Sequence, residues 1–163
     1  MPFTPYHAGP SGLIALLFRR WLDIPVFLLV NVAVDIEVLV MMAIGTGWRI
    51  HMYGHTFLGG AAAGILTALV LYPVRHKLGR IMGFLKLPYR KSFRRMAVSG
   101  ILGAWLHAIL DAPYNWDVFI FWPSRARPLI RLAERAEIVM LCEICLLLAA
   151  VVYAIILFRT AKT

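Results

Sequence analysis

The sequence predicts an all-α integral membrane protein with about four transmembrane helices and a short N-terminal helix that is re-entrant or interfacial. Three observations predict this. The 163-residue chain is 61% hydrophobic and only 15% charged, against roughly 45–50% and 25% in a soluble domain. Its mean hydropathy is +0.78, more apolar material than one small core can hide. The apolar residues also fall in long runs broken by Gly, Pro and basic clusters. Such a composition excludes a disordered tail, a disulfide scaffold and most soluble enzymes. The length fits one domain over residues 1–163.

The elements follow in order. MPFTPYHAGP has no basic n-region and no small-residue cleavage pattern, so no cleaved signal peptide is expected. Residues 11–18 are apolar but stop at Arg19-Arg20, short of the roughly 20 residues a span needs. Residues 24–44 are long enough to span, with Pro25 in the first turn. Gly45-Thr46-Gly47 breaks that run, and a third helix is expected from near Trp48 to Tyr72, stopped by Pro73. A fourth runs from about Met96 to Ala112, before Pro113, and the last from about Glu137 to Phe158. Gly60, Gly64, Gly100 and Ala104 give smooth helix faces that allow close packing in lipid.

The net charge is +9. In a membrane chain this points to basic loops on one side rather than to nucleic acid. Residues 74–95 hold eight Lys or Arg and no acid, so this loop is assigned to the cytoplasm. Alternation places Arg19, Arg20, Arg159 and Lys162, with the C-terminus, on the same side. Arg49, Arg125, Arg127, Arg131 and Arg135 then face outward. The 125–135 stretch reads as a solvated amphipathic segment, with Arg125 and Arg127 as candidate ligands for an anionic substrate.

Ionisable groups inside apolar segments are costly and usually functional. Here they are His7, Asp35, Glu37, His51, His55, His107, Asp111 and Glu143. At 1.5 Å per residue, Asp35 and His107 each lie roughly 16 Å into their segments, and Glu143 roughly 9 Å. With His7 entering from a re-entrant N-terminus, all fall in one layer from the midplane to the outer leaflet. On helices, His51-x-x-x-His55 and His107-x-x-x-Asp111 each point two donors the same way. With His7 and Asp35 they form a ligand set suited to a divalent transition metal, zinc first, as one or two ions. Asp35 and Glu37 point about 200° apart on a regular helix. Glu37 and Glu143 are each a candidate ligand or general base, with a salt bridge as the bland alternative. Asp117 is either a further ligand or a turn cap. Cys142 and Cys145, in an apolar run, read as structural. Asn115, Trp116 and Trp122 read as an interfacial aromatic belt.

MPFTPYHAGPSGL, VAVDIEVL, YGHTFLGG and LHAILDAP, in that order over residues 1–117, resemble the inner-membrane-bound metal-dependent hydrolases of bacteria and archaea, some of which are described as LexA-binding. The family more often has proline before the Asp-x-Glu, where this chain has Val34. The resemblance implies His7, Asp35, Glu37, His51, His55, His107 and Asp111 as the polar set and a prokaryotic inner membrane as the location. The HxxxD pattern and early His are also distantly similar to the zinc-dependent phospholipase C and P1 nuclease group. The leading expectation is a membrane-embedded metal-dependent hydrolase acting on a lipid or lipid-linked (phospho)ester, with the lipid bilayer as its surroundings and no nucleic-acid partner. The alternatives are a metal-ion or proton transporter and a non-enzymatic adaptor using loop 74–95.

Overall fold

The computed structural model describes residues 5–45 and 50–161. Among them it is all-helical, with six α-helices and no strand: α1 (Ala8–Leu17), α2 (Ile24–Ala43), α3 (Phe57–Leu71), α4 (Arg75–Phe84), α5 (Phe93–Asp111) and α6 (Arg135–Ala161). A 3-10 turn, Pro5–His7, leads into α1. Arg49 and the expected helix start at Trp48 lie outside the described residues, as do residues 1–4 of the first motif and Lys162.

Local chemistry sets the helix starts. The Asp23 carboxylate accepts from the Val26 N–H at 3.2 Å, with Pro25 in the first turn of α2. Thr56 caps α3 by accepting from the Gly59 N–H at 2.9 Å. Ser92 caps α5. Pro73 follows α3, and the chain bends by 87° into α4. The basic stretch 74–95 thus contains a helix rather than being loop throughout.

Helices α2 and α5 run parallel and in register. The Asp23 N–H donates to Ser99 Oγ at 2.7 Å, Gly103 packs on Phe27 and Val30, and Asn31 Oδ1 meets His107 Nδ1 at 3.2 Å. Helix α3 runs antiparallel to α5. Gly64 lies against Gly100 and Gly60 against Ala104, and the indole N–H of Trp105 donates to the Phe57 carbonyl at 2.8 Å. A methyl on either Gly64 or Gly100 would collide with the opposite backbone, so only glycine permits this approach. Helix α1 packs along α6 and α2. There Gly9 sits on the backbone of Cys142, again with no room for a Cβ.

Among the described residues, two helices, α2 and α6, are long and apolar enough to cross a membrane, and α3 with α4 makes a third if that bent pair is one span. This corrects the expected four. Helix α3 has only 15 residues because the chain before it is loop. Helix α5 carries Arg94, Arg95, His107 and Asp111 within 19 residues, which lowers its apolarity.

Candidate metal centre

The site lies where α2, α5, the start of α1 and the loop before α3 meet. His7 enters from the 3-10 turn, Asp35 from α2, and His107 and Asp111 from successive turns of α5. His51 and His55 come from the loop, which corrects the expectation that they share a helix face. Two carboxylates hold this loop. Asp117 accepts from the N–H groups of Ile50 and His51, both at 3.0 Å. Glu37 accepts from Tyr53 and Gly54, both at 2.9 Å, and from Met52 at 3.3 Å. The loop spends its backbone donors on these acids, and α3 starts only at Thr56.

All six predicted ligands are buried. His107 Nε2 lies 3.2 Å from Asp35 Oδ1 and 3.4 Å from Asp111 Oδ2. His55 Nε2 is 3.5 Å from Asp111 Oδ2, and His7 Nε2 is 3.3 Å from Asp111 Oδ1. The rings crowd together, with centroids 4.3 Å apart for His7 and His107 and 4.6 Å for His51 and His55.

These distances discriminate between two arrangements. Charge-assisted hydrogen bonds from nitrogen to carboxylate run about 2.7–2.9 Å. A tetrahedral ion with ligand bonds of about 2.0–2.1 Å separates neighbouring ligand atoms by roughly 3.3–3.4 Å. The observed spacings match the second value. Moreover, Nε2 of His7, His55 and His107 are buried without any hydrogen bond, although His7 belongs to neither group of closely spaced ligand atoms. Orphaned buried polar groups otherwise cost about 1–3 kcal/mol each. Asp35, His55 and His107 offer one set of ligand atoms within 4.8 Å of one another, and His51, His55 and Asp111 offer another. His55 belongs to both. The donor set is nitrogen and carboxylate with no thiolate, as zinc, iron or manganese accept.

An outer layer orients the ligands. His51 Nδ1 lies 2.9 Å from Asp117 Oδ1, leaving Nε2 for the centre. Burial opposes ionisation of Asp117, but the His51 ring and the two backbone N–H groups outweigh it and hold the carboxyl down at about 2. Asn31 Oδ1 receives His107 Nδ1, while the Asn31 amide donates to the carbonyls of Phe27 and Leu28 at 3.0 and 3.1 Å. The Tyr114 hydroxyl donates to Asp111 Oδ1 at 2.6 Å. Sequence reasoning missed Asn31 and Tyr114. Asn31 stands four residues before Asp35, a spacing that shares a helix face, and Tyr114 lies in the turn directly after α5.

The remaining predicted residues fall elsewhere. Glu37 is 3.6 Å from His55 Nδ1, and its oxygens are taken by the loop amides, which suits a holding role better than proton abstraction. Glu143 is exposed on α6 and belongs to neither ligand set. Arg125 and Arg127 are exposed in the segment after α5, where Arg127 donates to the Trp116 carbonyl. Cys142 is buried and Cys145 half-buried, both as free thiols.

Comparisons with protein-family models, with curated proteins and with solved structures each find no match to this chain.

Proposed function

We propose that the chain is a membrane-embedded, metal-dependent hydrolase of a lipid or lipid-linked ester or phosphoester. One observation carries this reading: three unpartnered histidine Nε2 atoms and two aspartates converge at tetrahedral-edge spacing inside an apolar helical body. His55, His107 and Asp35 would hold one ion, and His51, His55 and Asp111 a second or the remainder of the first. When bound, such an ion, zinc foremost, supplies Lewis-acid polarisation of the scissile group and an acidified water. The chain's own residues set the ligand geometry. Asn31 fixes the His107 tautomer, Asp117 that of His51, and Tyr114 turns Asp111. The resemblance to inner-membrane hydrolases supports a prokaryotic inner-membrane location, and the apolar surroundings of the cluster suit a lipid substrate.

The distribution of buried polar groups favours hydrolysis over ion transport. Among the described residues, the metal centre and the Asp23–Ser99 contact are separated by buried Phe27, Val30 and Ala104. A conduit would need polar groups in that interval.

The test is elemental analysis of detergent-purified protein beside His107→Ala and Asp35→Ala, followed by hydrolysis assays on lipid esters. One or two ions per chain, lost in both variants, with hydrolysis that depends on added metal, is the expected result. Stoichiometric metal absent from repleted wild type would sink the proposal, as would equal hydrolysis by metal-free protein.

A further inference from the structure

The opposite end of the α2–α5 pair carries a second feature. One face of α5 reads Arg94, Val98, Leu102, Leu106 and Ile109, at i,i+4 and i,i+3 spacing. It begins basic and turns apolar within one helical turn. The apolar part borders a groove of about 490 Å³, walled by α1 through Ile14 and Phe18 and floored by Phe27. The basic part borders a pocket of about 330 Å³ formed by Arg20, Arg90, Ser92 and Arg94. Trp21 lines both and is 79% exposed. From Val98 to Ile109 the face extends roughly 16 Å at 1.5 Å per residue. Half of a hydrocarbon core of about 30 Å is 15 Å.

The wall between the two spaces is firmly built. Arg95 donates to the carbonyls of Arg19 at 2.7 Å and Leu22 at 2.5 Å, and the Asp23 N–H is tied to Ser99. These contacts fix the 18–23 turn against α5 and place Trp21 at the junction. Arg95 is spent on this turn. Arg20, Arg90 and Arg94 are exposed.

We propose that this composite surface binds one anionic glycerophospholipid, its phosphate among Arg20, Arg90 and Arg94 and one acyl chain along the α1–α5 groove. The charge selects the headgroup, the apolar α5 face from Val98 to Ile109 matches one leaflet, and Trp21 sits at the boundary where aromatic residues favour the interface. The inference rests on the membrane-embedded part of the proposed function and not on hydrolysis. The headgroup belongs to the basic end, away from the metal centre; the groove reaches the level of His107 on a different face of α5, and the lipid is a bound companion rather than a substrate.

Native mass spectrometry of the detergent-solubilised full chain tests this with added phosphatidylglycerol or phosphatidylcholine of matched chains. Phosphatidylglycerol is expected to bind at least about tenfold more tightly, since Arg residues near the membrane surface attract anionic headgroups. The triple variant Arg20→Gln, Arg90→Gln, Arg94→Gln is expected to lose that preference, and Leu102→Trp to weaken both lipids several-fold. Free glycerol 3-phosphate is expected not to displace phosphatidylglycerol at equal concentration. Equal binding of the two lipids by wild type, or a preference that survives in the triple variant, overturns the headgroup site. Displacement by free glycerol 3-phosphate, or unchanged binding in a folded Leu102→Trp, overturns the groove. The wild-type arms decide the matter should a variant fail to fold. Metal content is read on the same samples, so failure here stands apart from failure of the metal centre.

Discussion

The two ends of the α2–α5 pair use the same ladder for different ends. The α2 cap Asp23 and positions 27, 31 and 35 of α2 face 99, 103, 107 and 111 of α5, both in steps of four. At one end the rungs are Asp23 with Ser99, and the polar atoms go largely to backbone: Asp23 caps its own helix and Ser99 receives the Asp23 N–H. At the other end the rungs are Asn31 and Asp35 with His107 and Asp111, and the ring nitrogens facing the centre receive no hydrogen bond. The first end is largely satisfied by the fold, with Asp23 Oδ2 and the neighbouring Arg95 Nε buried without a hydrogen bond. At the second, the fold supplies no hydrogen bond to Nε2 of His7, His55 or His107, the atoms the proposed cation would use. Buried polar groups are costly unless paired, so three histidine Nε2 atoms left without a hydrogen bond in one place support the proposed cation site.

The largest expected effect breaks the second end. Asp111→Ala removes the carboxylate that three histidines surround. Metal affinity should fall by more than about a hundredfold, beyond the 10–100-fold typical of an outer partner, as read by competition with a chelating dye. Retained affinity would show that Asp111 is a structural counter-charge.

Breaking the packing between the ends comes next. Gly100→Val drives a side chain into the Gly64 backbone, with an expected loss of about 3 kcal/mol. A lowered thermal midpoint in detergent reads it, and an unchanged midpoint would mean the α3–α5 approach is looser than described.

Asp117→Asn sharpens the comparison from within the site. It should weaken metal binding by about 10–100-fold through the orientation of His51, while Glu143→Gln, on the exposed side of α6, should leave it unchanged. Equal effects of the two would remove the distinction drawn between them.

The smallest effect belongs to the first end. Ser99→Ala deletes one hydrogen bond and should cost about 1 kcal/mol in thermal stability, with full metal content. Loss of metal in that variant would couple the two ends.

Much of the site was legible in the sequence because an apolar chain makes each ionisable residue conspicuous. His7, Asp35, His51, His55, His107 and Asp111 needed only burial cost to single them out, and the structure places them together. Asn31, Tyr114 and Ser99 were not legible, since neutral polar residues are cheap enough to appear anywhere in a helix. The His51–His55 pair was misread as helical because the spacing is the same on either backbone. Asp117 and Glu37 decide it by taking the loop amides, from 66 and about 16 residues away.

The sequence by itself determined the helical class, the helix breaks at Gly45, Pro73 and Pro113, and the identities of the buried donors. These follow from local propensity and from the cost of burying charge, which a single segment already contains. Only the tertiary structure decided the register of α2 on α5, the loop before α3, the exposed place of Glu143 and the meeting of basic pocket and groove at Trp21. Each of these depends on which backbone amides and which glycine faces find a partner across the bundle. That pairing is long-range, and no stretch of the chain read alone encodes it.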